Sequence, residues 1–204
     1  MSRKSAVKTS ERVPANKRKS VVSKGQSAQS VETASTVDST DFTHLLSATH
    51  SDPHRVLGPH LSDAGLIIRV FRPDAELVEV AIGKKLAQPM SKTHPAGLFE
   101  VLLPGLTTVP SYRLVVHHSD DRQEKIRDPY SFLPTLGELD LHLFAEGRHE
   151  AIYKKLGSHV KKIGNVRGVS FAVWAPQAEG VSVVGNFNNW DGRQHQMRSL
   201  GGSG

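Results

Sequence analysis

The segment Phe187-Asn188-Asn189-Trp190-Asp191-Gly192 sets a large aromatic ring beside two amides in a stretch with turn chemistry. An indole face is a flat, apolar, polarisable platform for the C–H face of a sugar ring, and neighbouring amides can hydrogen-bond its hydroxyls. Trp190, Asn188 and Asn189 are therefore the candidate carbohydrate contacts. The competing role for Trp190 is to plug the edge of a β-sandwich without touching a ligand. The other tryptophan, Trp174, sits in a strand-like run and reads as a packing residue.

Other reactive constellations are weak. The acidic pairs Asp120-Asp121 and Glu138 with Asp140 read as solvated acids of a turn and a helix, so no catalytic residue is assigned. Of the eleven histidines, His117 and His118 point to opposite faces of a strand, and His142 and His149 are separated by Gly147. No metal site and no cofactor is expected. The terminal Gly201-Gly202-Ser203-Gly204 lacks the strand-to-helix context and the lysine of a phosphate loop.

The elements that must carry these residues come from a repeat. GLIIRVFRPDAELVEVAIG at 65–83 returns as GVSFAVWAPQAEGVSVVGN at 168–186, pairing Phe71 with Trp174 and Val70, Val78 and Val80 with Val173, Val181 and Val183 at an offset of 103. LGPH at 57–60 returns as LGSH at 156–159 at an offset of 99, which implies a connecting loop of different length. Four strand-like runs, Leu66–Phe71, Leu77–Ile82, Leu98–Leu103 and Ser111–His117, are bounded by Pro, Gly or Asp clusters, and Val78, Val80 and Ile82, like Tyr112, Leu114 and Val116, alternate onto one face. Their shortness and tight spacing leave no room for crossover helices and predict an antiparallel sandwich. Phe42, Leu45 and Leu46 mark a short helix capped by Thr40 or Asp41, ending before Ser51-Asp52-Pro53. His54–Leu61 reads as a loop, 136–156 as two short helices broken at Gly147, and Val169–Trp174 and Val181–Phe187 as returning strands. The fold class is thus all-β: two tandem immunoglobulin-like β-sandwich modules, the second incomplete, joined by a helical linker. The expected divisions are a disordered basic tail at 1–40, a sandwich at 41–130, the linker at 131–160 and a shortened module at 161–204, in a chain that looks cut short.

Charge is concentrated in that tail. The chain carries +6, yet residues 1–25 hold eight Lys or Arg against Glu11 alone, and the remainder is near neutral. A basic tail on a neutral body does not present cations in register with phosphates, so no nucleic-acid partner is assigned. Cysteine is absent, no apolar region follows the charged N-terminus, and no run reaches the roughly 18 apolar residues of a spanning helix. A cytoplasmic, non-membrane protein of unassigned oligomeric state is expected; an organelle presequence at 1–37 is weighed and set aside for want of an apolar stripe.

HSDPHRVLGPH at 50–60, VFRPDAELVEV at 70–80, GLFEVLLPG at 97–105, DPYSFLPTLGELDLHLFAEGRHEAIYKKLGSH at 128–159 and GVSFAVWAPQAEGVSVVGNFNNWDGRQHQMR at 168–198 resemble the amino-terminal region of bacterial glycogen branching enzymes. The departures include Leu133, commonly Gly in the family, and Asn186, commonly Asp. The resemblance implies an N-terminal sandwich, a helical linker and a family 48 carbohydrate-binding module ahead of a (β/α)₈ barrel, an α-glucan partner, and a sugar-stacking role for Trp190. In the family, an α-1,4-glucan segment is transferred to a 6-hydroxyl to form an α-1,6 branch. That retaining chemistry needs two carboxyl groups about 5 Å apart, and no barrel motif occurs in 1–204, so this chain alone is expected to place glucan and not to cut it. The alternative is a stand-alone, non-catalytic glucan-binding or scaffold fragment.

Overall fold

Residues 37–204, except Lys85 and Ser203, are described by a computed structural model. The basic segment 1–36 lies outside the described residues. Helix α1 spans Ser39–Leu46, and its cap is Asp38, whose carboxylate accepts the Thr40 N–H at 2.7 Å. Ser39 and Thr40, assigned from the sequence to the tail, instead belong to the first turn of the helix, because the capping side chain lies two residues upstream of Thr40 and three upstream of Asp41. A 3₁₀ turn at Pro53–Arg55 follows.

Eight strands then build the first module: β1 Gly58–Ser62, β2 Gly65–Phe71, β3 Leu77–Ile82, β4 Gln88–Pro89, β5 Ser91–His94, β6 Leu98–Pro104, β7 Tyr112–His117 and β8 Gln123–Ile126. They form two four-stranded antiparallel sheets in the orders β1-β2-β6-β5 and β4-β3-β7-β8. Leu66, Ile68 and Val70 of β2 and Phe99, Val101 and Leu103 of β6 meet Val78 and Val80 of β3 and Tyr112, Leu114 and Val116 of β7 in one buried core. The opposite face of β2 is used as well. Phe71 and its cross-strand partner Leu98 join Leu45, Val56 and Leu57 in a second cluster under α1, where Phe42 meets Phe71 edge-on at 6.3 Å.

The strand β1 occupies the second half of the segment His54–Leu61 that the sequence presents as a loop. Its Pro59 and polar residues hide the alternation, and its backbone is satisfied by β2 alone, from Gly58 opposite Arg69 to Ser62 opposite Gly65. Gly58 has φ +88°, and a Cβ there would lie 2.7 Å from the Tyr130 carbonyl oxygen.

The same order of elements returns downstream. Helix α2 covers Glu138–Ala145, a 3₁₀ turn Ile152–Lys154, β9 Gly157–Ile163 and β10 Val166–Ala172. The second of the two expected helices is therefore only a 3₁₀ turn. At an offset of 99, α1 falls on α2, Pro53–Arg55 on Ile152–Lys154, and Gly58 on Gly157, also at positive φ. Side-chain contacts repeat too. His50 Nε2 lies 3.4 Å from Asp41 Oδ1 and His149 Nε2 lies 3.0 Å from Asp140 Oδ1; Arg55 pairs with the first aspartate and Lys155 with the second, at 2.8 Å. Phe144 of α2, one turn beyond Leu141, the counterpart of Phe42, meets Trp174 edge-on at 6.0 Å, and Phe42 meets Phe71 in the first copy. The segment 138–156 thus repeats the opening of the first module.

The hairpins explain the two offsets. Gly58 pairs with Arg69 and Gly157 with Ala172, and both hairpins turn through two residues, 63–64 and 164–165. The four extra residues lengthen the two arms equally, by two each, and leave the loop unchanged, contrary to the sequence-based expectation. An even insertion in each arm preserves which face every side chain takes.

Beyond β10 the likeness in structure ends. The expected strand at Val181–Phe187 is reduced to a Ser182–Gln196 bridge, with Val183 N–H donating to His195 O at 2.9 Å and Met197 N–H to Val181 O at 2.8 Å. In the first module β3 is held between β4 and β7; among the described residues no strand flanks 181–187. Val169, Phe171 and Val173 are 51%, 45% and 50% exposed, whereas their equivalents Leu66, Ile68 and Val70 are buried in the sandwich core.

Candidate functional site: the Trp190 loop

The loop from Gly185 to Asp191 is organised by Asn188. Its Oδ1 accepts the Gly185 N–H at 2.9 Å, its Nδ2 donates to the carbonyls of Val183 at 2.9 Å and Asp191 at 3.3 Å, and Nδ2 lies 3.1 Å from Nδ1 of His195. Asn188 is 2% exposed. With both ends of its amide engaged inside the protein, it shapes the loop and does not face a ligand. This corrects the sequence-based assignment of Asn188 as a sugar contact: a buried amide must find its partners in the chain.

Asn189 and Trp190 are held with φ of +53° and +60°. The left-handed region costs an L-residue about 1–2 kcal/mol, and for a bulky side chain such as Trp it persists only where the surroundings impose it. Here the Trp190 N–H donates to Gly185 O at 3.0 Å and the indole Nε1–H to Asn186 Oδ1 at 2.9 Å. The polar edge of the indole is thereby satisfied within the loop while the residue remains 67% exposed, so the ring projects as an apolar surface. Asn189, exposed beside it, is the adjacent amide. Asp191 is clamped by Arg193 through bonds of 2.9 and 2.7 Å, which hold its carboxyl below the usual carboxylate range.

The loop is anchored on the first module. Tyr130 Oη accepts the Gln196 N–H at 3.0 Å, Gln196 Nε2 donates to Leu45 O at 2.8 Å, the Ser199 N–H to Ser51 O at 2.8 Å, and Arg198 pairs with Asp52 at 3.1 Å. Tyr130 is fixed by Asp128, whose Oδ1 accepts the Tyr130 N–H at 2.9 Å and whose Oδ2 accepts the Tyr112 hydroxyl at 2.5 Å. Burial pushes the Asp128 carboxyl up to about 6. His195 is held below the ordinary imidazole value first by burial and then by the positive charge of Arg72; burial lowers His54, edge-on to Tyr130 at 5.0 Å, to about 4.

The other residues singled out from the sequence fall elsewhere. Trp174 is 56% exposed against α2, where its equivalent Phe71 is 2% exposed. Trp174 joins Phe144, Tyr130, Phe132 and Phe187 in lining a cleft of about 790 Å³ from which Trp190 is absent. Asp120 pairs with Arg122 in its turn, and Asp140 accepts the Gly137 N–H at 2.9 Å at the start of α2. Among the described residues no three His, Asp or Glu side chains converge as a metal site, and no helix is long and apolar enough to cross a membrane.

Comparison with known proteins gives two matching family models. The model of the alpha-1,4-glucan branching enzyme GlgB N-terminal domain matches residues 38–130, and that of carbohydrate-binding module 48 (isoamylase N-terminal domain) matches 155–204. The 1,4-alpha-glucan branching enzyme GlgB of Myxococcus xanthus is 46% identical over 165 residues, 80% of this chain and 22% of its own length. GlgB 1 of Streptomyces coelicolor is 50% identical over 167 residues, 82% of this chain and 21% of its own. The maltotriose complex of PulA from Klebsiella pneumoniae aligns at 24% identity and a TM-score of 0.31 over 42% of this chain and 10% of its own. The chain spans about a fifth of the length of the curated relatives it matches. Residues 38–130 thus match the N-terminal domain of 1,4-alpha-glucan branching enzymes and residues 155–204 match carbohydrate-binding module 48, and 80–82% of the chain aligns with such enzymes at 46–50% identity.

Proposed function

We propose that this region binds an α-1,4-glucan through Trp190 and places it for branch formation by a glycogen branching enzyme in the cytoplasm. The supporting observation is the loop itself: a strained tryptophan, its N–H satisfied internally, projects its ring beside Asn189 while the buried Asn188 keeps the loop in shape. An aromatic face and an adjacent amide provide the stacking and hydrogen bonding that a glucose unit requires. Asp140 and Asp120, the acids singled out from the sequence, are engaged by neighbouring basic residues, and no catalytic role is proposed for them.

Affinity electrophoresis through a glycogen-containing gel tests this reading. Retardation is expected for the wild type, with little change on raising the salt, and is lost in Trp190→Ala. Binding through the basic segment at 1–25 would weaken steeply with ionic strength. Retardation that survives the substitution would exclude Trp190 as the platform.

A further inference from the structure

We infer that Tyr130, a residue of the first module, is a positioning residue for the sugar platform of the second, holding the Trp190 loop in its binding shape through a hydrogen bond to the Gln196 backbone. The inference rests on the glucan reading above and adds a requirement: affinity depends on a side chain that never touches the sugar.

The loop has little support from its own sheet. The module-2 ladder after β10 is a bridge at Ser182–Gln196, so the backbone at 194–196 is held on one side by 181–183 and on the other by the first module. Tyr130 Oη sits at that point, accepting the Gln196 N–H at 3.0 Å and lying 3.3 Å from Gln194 O and 3.4 Å from Gln196 O, within donating range of either. From there the connection to the platform is short. His195 lies between the two glutamines and contacts Asn188 Nδ2; Asn188 closes the loop on Gly185; and the Gly185 carbonyl accepts the Trp190 N–H. The phenol is itself immobilised, because the buried Asp128 binds both the Tyr130 N–H and the Tyr112 hydroxyl. This chain of contacts lies between the first sandwich and a residue whose backbone conformation the surroundings must impose.

Tyr130→Phe removes only the hydroxyl and keeps the ring that His54 contacts. The chain has two tryptophans, so in a Trp174→Phe background Trp190 becomes the sole indole and its fluorescence anisotropy reports the loop directly. Glycogen affinity and anisotropy are measured for this background with and without Tyr130→Phe, with thermal unfolding monitored to confirm a folded first module. The expected result is a fall in anisotropy and a roughly three- to tenfold loss of affinity, the order expected for one lost hydrogen bond. Should Tyr130→Phe unfold the module, an amide-to-ester exchange at Gln196, which puts an ester oxygen in place of the N–H facing Tyr130 and keeps the Gln196 side chain on Leu45 O, serves as the second variant. Unchanged affinity with a folded module overturns the inference while leaving the glucan reading intact. Affinity unaffected by Trp190→Ala removes the glucan reading, and this inference with it.

Discussion

Nδ2 of Asn188 lies 3.1 Å from Nδ1 of His195, within a loop where both side chains are largely removed from water. An amide N–H can donate only to an unprotonated ring nitrogen, so this contact requires a neutral histidine. Burial, reinforced by Arg72, keeps the folded-state value below the ordinary 6.5, and burial places His54 at about 4. Between those values and 6.5 the unfolded chain binds more protons than the folded one. The stability these neutral histidines contribute is therefore fully present above about pH 6.5 and is lost as the pH falls toward 4. Urea midpoints measured from pH 7.5 to 4.5 should decline, and less steeply in His195→Asn; Asp128, raised by burial, opposes the trend by favouring its protonated form.

The backbone of Trp190 separates binding from stability. Both Trp190→Gly and Trp190→Ala remove the indole and should abolish glycogen retardation, but only glycine relieves a φ of +60°. Trp190→Gly is expected to be about 1 kcal/mol more stable than Trp190→Ala, as judged by denaturant unfolding followed at the loop amides.

Ile68 and Phe171 occupy equivalent places in the two copies, one fully buried and the other 45% exposed. Ile68→Ala should cost about 2–5 kcal/mol, the range for a large-to-small change in a packed core, whereas Phe171→Ala should cost less than about 1 kcal/mol. Binding of a hydrophobic dye should be lower in Phe171→Ala than in the wild type.

Asp41 and Asp140 each tie the first turn of a helix to a histidine nine residues on. Asp140 also accepts a backbone N–H ahead of α2, and Lys155, Gly137 and His149 hold its carboxyl far below the usual carboxylate range. Asp140→Ala should destabilise α2 by about 1 kcal/mol, as for loss of a helix cap. Faster hydrogen exchange at 138–145 with little change at 39–46 would check that each latch serves its own helix.

By itself the sequence determined the strand-like runs β2, β3, β6 and β7 and the duplication, and it offered Trp190 as a candidate without deciding its exposure, because period and residue type are local properties. The full reach of the duplication was also present in the letters: Asp41, His50, Leu57, Gly58 and His60 recur as Asp140, His149, Leu156, Gly157 and His159. Divergent residues between those positions concealed it. Tertiary structure alone decided that β1 and the exposed edge strand β8 pair into sheets, since their polar residues carry no apolar period and their backbones are satisfied only by neighbours. It also decided that Asn188 is buried while Asn189 is not, and that Tyr130 holds a loop 66 residues away. Burial and long-range hydrogen bonds belong to the packed chain, and two adjacent asparagines or one distant phenol acquire their separate roles only when folding brings their partners within reach.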